Sequence, residues 1–111
     1  MLRIHEVALD LVGEVAPLIA KIERRDPDLA RQLRKSVTSC PMNIAEGSDQ
    51  IGRRRNNHYA IALGSERETW TGLRSAEAFK YIPALSAELK NKFDHVIGTL
   101  HRCVHGPSKR R

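Results

Sequence analysis

Four stretches of this chain place apolar residues at alternating three- and four-residue steps, a spacing that suits helices burying one face and suits strands poorly. In the first, Ile4, Val7, Ala8, Leu11, Val12, Val15, Leu18, Ile19 and Ile22 form the stripe, with Glu6, Asp10, Glu14 and Lys21 between them. This predicts a helix of about six turns. Pro17 removes one backbone donor within it, but the stripe stays in phase on both sides, so a kink is expected rather than a stop.

The second helix has a legible start. Asp26 is a good N-cap, Pro27 fits the first helical position, and Asp28 lies where the helix dipole favours negative charge. Leu29, Leu33, Val37, Cys40 and Ile44 form its stripe, with a bend expected near 37–41 at Pro41 and an end around 47–50 at Gly47. A polar connection through Ser48, Asp49 and Gln50 leads to Gly52. Tyr59, Ala62, Leu63, Trp70, Leu73, Ala76 and Phe79 then mark a long third helix beginning between Arg53 and Asn57, with Trp70 suited to core or subunit packing. The fourth is expected after Tyr81-Ile82-Pro83, with Pro83 in its first turn and Leu85, Leu89, Phe93, Val96, Ile97, Leu100 and Val104 as its stripe.

Four such segments joined by short connections predict an all-α fold, an antiparallel up-down-up-down four-helix bundle. Its single domain spans residues 1–106, ended by Gly106-Pro107, and 107–111 form a basic tail. Aromatic content of 5% fits helices better than a β-sandwich.

Charge is unevenly placed. Residues 1–51 carry seven Lys/Arg against eight Asp/Glu, whereas residues 52–111 carry twelve against five, within a net charge of +6. That excess favours an anionic partner, nucleic acid or an acidic protein. Cys40 and Cys103 lack the spacing of a zinc site or redox pair, and the residues after Met1 do not form an apolar leader, so a reduced, cytoplasmic setting is expected. No apolar run approaches the roughly 20 residues needed to span a bilayer, so no membrane partner is expected.

The segment Thr38 to Glu66 departs most from a plain amphipathic pattern. Ser36, Cys40, Asn43 and Gly47 share one row beside the apolar seam. Asn43 and Glu46 are expected to be partly buried, with partners among the backbone groups released by Pro41, the helix end or a facing patch on the third helix. An unpaired buried polar group costs roughly 1–3 kcal/mol. Gly64-Ser65 is the natural facing patch, since a mid-helix glycine usually persists for close backbone approach. Asn43, Glu46, Gly64 and Ser65 thus read either as a polar crossing that fixes bundle register or as a direct ligand or RNA contact.

"LRKSVTSCPMNIAEGS", "GRRRNNHYAIALGSERE" and "LRSAEAFKYI" together resemble the four-helix-bundle family that includes proteins encoded within intervening sequences of 23S ribosomal RNA genes. The resemblance runs from about Leu11 to Leu100 and rests on Pro41, Asn43-Ile44-Ala45-Glu46-Gly47, and Ala62-Leu63-Gly64-Ser65 with Glu68. It implies a four-helix bundle assembled as a homopentamer, distantly akin to the accessory variability determinant of diversity-generating retroelements, which pairs a basic pentamer with a reverse transcriptase and nucleic acid. Glu66 and Thr69 stand where the family pattern is apolar.

Arg53, Arg54 and Arg55 are the leading candidates for phosphate contact, because arginine is permanently charged and binds phosphate in a bidentate way. The plain alternative is a solvated charge run. Cations at a helix N-terminus oppose its dipole, however, and invite a compensating anion. Arg102, Lys109, Arg110 and Arg111 are a second candidate element, repeated in an oligomer. No zinc-finger spacing, RNA-recognition strand motif or aromatic row for stacking bases is visible.

His101 and His105 stand at i, i+4, but Cys103 projects from another face, so no metal site is expected; neither is a cofactor. Glu66 and Glu68 point about 200° apart on a helix, and Ser65 has no attributable base, so no enzymatic activity is expected. The sequence therefore predicts a non-catalytic homo-oligomer that binds RNA or DNA. The alternatives are an adaptor docking a partner enzyme such as a reverse transcriptase, or a purely structural oligomer.

Overall fold

The computed structural model describes residues 2–106, which form four helices: α1 (Leu2–Glu23), α2 (Pro27–Ser48), α3 (Gly52–Ala78) and α4 (Ala87–His105). No strand occurs among the described residues. The predicted tail, 107–111, lies outside them.

Local sequence chemistry sets most boundaries. The Asp26 carboxylate caps α2 by accepting from Leu29 N–H at 3.0 Å, with Pro27 at the first position. The Ser86 hydroxyl does the same for Leu89 N–H at 3.0 Å in α4. α4 therefore begins later than expected. Pro83 and Leu85 belong to the connection, whose Leu85 N–H donates to Glu77 Oε2 at 2.8 Å. Both internal prolines are accommodated without ending their helices, α1 running through Pro17 and α2 through Pro41.

The helices pack in the ring order α1, α2, α3, α4, with α2 and α3 sharing the largest contact. Direction follows from the cross-helix bonds: residues 36 and 39 of α2 meet 69 and 65 of α3, while 43 and 48 meet 58 and 59. Ascending one helix thus descends the other. The short 24–26 turn gives α1 and α2 the same opposition, and α1 opposes α4 because Glu14 pairs with Lys92 while Arg3 and Ile4 lie beside His95 and Thr99. At 27 residues, α3 is about 40 Å long at 1.5 Å per residue, and it accounts for the 42 Å long axis.

The core consists of the predicted stripes. Ile4, Ala8, Leu11, Val15, Ile19 and Ile22 of α1 face Leu33, Val37, Cys40 and Ile44 of α2 and Phe93, Val96 and Leu100 of α4 within one buried cluster. Trp70 is half-buried, with its ring 5.1 Å from that of Phe93. Phe79 is not a core residue of α3. It caps that helix and is exposed.

The glycine expectation needs correction. Gly64 is exposed, and a Cβ built there would meet nothing within 4 Å, so it mediates no close approach within the chain. The tight glycines are Gly47, where a Cβ would lie 2.7 Å from the Tyr59 ring, and Gly72, where it would lie 2.6 Å from Leu33 Cδ2. Gly64→Ala should therefore stabilise the fold by up to about 1 kcal/mol through helix propensity. Gly47→Ala should destabilise it by about 1–3 kcal/mol by displacing the Tyr59 ring. Urea midpoints of the two variants check this, and shifts of the same sign would contradict the assignment.

Candidate nucleic-acid interface

Alternating helix direction gathers four termini at one end of the bundle: the N-termini of α1 and α3 and the C-termini of α2 and α4. Arg53, Arg54 and Arg55 lie in the first turn of α3, which starts immediately at Gly52, earlier than expected. Ile51 is the N-cap and supplies no side-chain hydrogen bond, and the first turn holds no acidic residue. Three cations therefore share a helix terminus whose own dipole is positive. All three are exposed, and among the described residues none forms an ion pair.

Arg102 is exposed in the last turn of α4, at the same end, where its Nη2 donates to Thr99 Oγ1 at 3.4 Å. Lys109, Arg110 and Arg111 lie outside the described residues. Arg3 of α1 is exposed at this end too and lines a shallow groove with His95 and Thr99 of α4. The end carries exposed Glu46 and Asp49 as well, at the C-terminus of α2.

Behind this end runs a polar seam between α2 and α3. The Ser36 and Thr69 hydroxyls share a 2.7 Å hydrogen bond, and Ser65 donates to Ser39 Oγ at 2.8 Å. The half-buried Asn43 amide donates to Ser39 O at 2.9 Å, and its Oδ1 accepts from His58 Nδ1 at 3.1 Å when the imidazole proton sits there. Asn43 therefore serves Ser39 O, while Pro41 leaves the carbonyl of Val37 without its usual donor. Ser48 and Tyr59 hydroxyls lie 3.3 Å apart at the end of the row. Gly47 is buried beneath Tyr59, and Pro41 is buried.

One further motif residue differs from expectation. Glu46 is exposed rather than partly buried, because it projects from α2 one residue before the seam position taken by Gly47. Glu68 is exposed as well, lining a surface groove with Gln32, Lys35, Ser39 and Ser65.

Glu66 is the polar residue the stripe had hidden. It occupies the buried phase between Leu63 and Leu73, with 0% exposure, and neither carboxyl oxygen has a hydrogen-bond partner of good geometry. Desolvation pushes its pKa from an ordinary 4.5 up to about 8, only partly offset by the adjacent Cys40 thiol. Burial, with Glu66 beside it, pushes the Cys40 thiol up in turn, so that thiol is not a reactive thiolate. The sequence signal for Glu66 was the gap in the apolar run of α3 at the position where the helical period required a buried residue.

The histidine pair stacks at the surface, with the His101 and His105 rings 4.5 Å apart. No group of three potential metal ligands occurs among the described residues. Among those residues no helix is long and apolar enough to cross a membrane.

The fold and the seam define a small all-helical four-helix protein with a cationic end. A family model described as the 23S rRNA-intervening sequence protein matches residues 1–102, and the chain belongs to that family. A crystal structure of a protein of unknown function from the S23 ribosomal protein family of Bacteroides thetaiotaomicron is similar in fold. Its TM-score is 0.76 at 20% identity, over 91% of this chain and 97% of that one. No curated protein matches the chain.

The neutral buried carboxyl sets a pH dependence. Between pH 4.5 and about 8 the folded chain holds a proton that the unfolded chain has released. Stability should therefore fall across that window, by on the order of 5 kcal/mol in all, and level off above it. Glu66→Gln cannot ionise and should melt higher than wild type at pH 8 but close to it at pH 4.5. Parallel pH profiles of melting temperature for the two proteins would refute the neutral carboxyl.

Proposed function

We propose that this chain is a non-catalytic nucleic-acid-binding bundle that grips phosphates, preferentially of RNA, through the basic end bearing Arg53, Arg54, Arg55 and Arg102. The observation that carries this reading is the run of three exposed arginines, without an ion pair among the described residues, at a helix N-terminus that has no side-chain cap. Such a terminus already attracts anions through its free N–H groups, and guanidinium forks add bidentate phosphate contacts. Membership of a family described by a 23S rRNA intervening sequence agrees with an RNA partner.

The protein acts in this reading as a homo-oligomer, a pentamer as the family resemblance implies, so that each basic end is presented several times and weak contacts combine. The exposed Met42, Ile51 and Ile61 are apolar surface available for subunit contact.

Anisotropy titrations of labelled structured RNA and duplex DNA at low and physiological salt test the proposal. Binding should weaken steeply with salt. Changing Arg53, Arg54 and Arg55 together to Ala should flatten the log–log salt slope by about 2–3. Absence of binding at low salt, or an unchanged slope in the triple variant, would make the arginines a solvated face or a protein-docking site. Light scattering at micromolar concentration checks the assembly, and the mass of one chain would rule it out.

A further inference from the structure

The opposite end of the bundle, where the α1–α2 turn meets the α3–α4 connection, carries a separate cluster. There α3 ends in a Schellman reversal, with Tyr81 N–H donating to Ala76 O at 2.9 Å and Lys80 N–H to Glu77 O at 3.0 Å. Lys80 stands in its left-handed position at φ 65°, a conformation that glycine usually fills because a Cβ is disfavoured there. The reversal has a consequence for the neighbours. Phe79 and Tyr81, which a continuing helix would point about 200° apart, instead stack with centroids 5.2 Å apart and planes 14° from parallel.

Tyr81 is held in place. The Arg25 guanidinium lies over its ring at 5.5 Å from the centroid, and its hydroxyl donates to Asp26 Oδ2 at 3.4 Å. Phe79 rests on this fixed ring yet remains 63% exposed. An aromatic that stacks on a held ring and keeps so much open surface is a platform available for a further stack.

Cations predominate among the charges left without an ion pair here, although Asp26 keeps its negative charge and Glu88 is exposed in the first turn of α4. Asp26 is engaged by Leu29 N–H and Tyr81, Asp28 by Arg31, Glu23 by Arg34, and Glu77 by Arg74 and Leu85 N–H. Arg24, Arg25 and Lys80 are exposed and, among the described residues, make no ion pair. An aromatic face flanked by unpaired cations complements a base and its adjoining phosphates.

We propose that Phe79, backed by Tyr81, stacks an unpaired base of single-stranded nucleic acid while Arg24, Arg25 and Lys80 contact the neighbouring phosphates. A duplex, whose bases are already stacked on each other, offers this platform little. The site does not depend on the arginine run, which lies at the other end of the bundle.

The test uses a short single-stranded RNA carrying 2-aminopurine, a single-stranded DNA of the same sequence, and the corresponding duplex, each titrated with the full chain. Phe79→Ala should weaken single-strand binding about tenfold, the size of one base–aromatic stack, abolish the 2-aminopurine quench, and leave duplex binding unchanged. Lys80→Gly should weaken single-strand binding several-fold with a melting temperature no lower than wild type, since glycine suits the left-handed position. Changing Arg53, Arg54 and Arg55 to Ala should leave the Phe79-dependent difference intact, separating this site from the basic end. Equal affinity and quench in Phe79→Ala, or no single-strand binding by wild type at low salt, would overturn the platform. A change of oligomeric mass in Phe79→Ala would overturn it too, making the patch a subunit contact.

Discussion

The row of side-chain hydrogen bonds between α2 and α3 fixes how the rest of the bundle is arranged. Apolar stripes attract helices without choosing a register, because sliding by one turn still buries apolar area. Hydroxyls and amides choose it, since a slip strands buried polar groups that have no water to replace the lost partner. Ser36 with Thr69, Ser39 with Ser65 and Asn43 with His58 therefore act as a register code. The helices that flank this pair are placed largely by apolar packing against it, joined across their exposed edges by ion pairs such as Glu23 with Arg34, which contribute little by themselves.

Glu66 is the exception within that seam. It is buried as deeply as Leu73, but its oxygens have no partner, and the chain accommodates it by keeping the carboxyl neutral. A leucine there would pack at lower cost. The position is thus a local conflict inside an otherwise consistent core, and its cost rises as the carboxyl is driven to ionise at higher pH.

Charge is distributed by topology rather than by sequence order. Arg53 and Arg102 are far apart along the chain, yet up-down-up-down winding brings the start of α3 and the finish of α4 to one end. The same winding sends Arg25 and Lys80 to the other, where a helix termination turns two aromatic rings into a stack. The bundle thus has two cationic ends of different chemistry, one rich in guanidinium and one combining cations with an aromatic face.

The sequence by itself determined the helices, since apolar period, the Asp26 cap with Pro27, and the Gly106 stop are local signals that act within a few residues. It also determined which faces are buried in α1, α2 and most of α4. The tertiary structure alone decided what faces what. Gly64 reads in the sequence as a close-approach glycine and Gly47 as a helix end, but the approach of Tyr59 makes Gly47 the obligatory one. Glu46 and Glu66 are both ionisable residues beside a seam, and one rotates into water while the other is enclosed. Phe79 continues the apolar phase of α3 yet lies outside it, because the chain reverses at Lys80. Local propensity acts between neighbours in the chain, whereas enclosure, close approach and stacking depend on surfaces that only packing brings together.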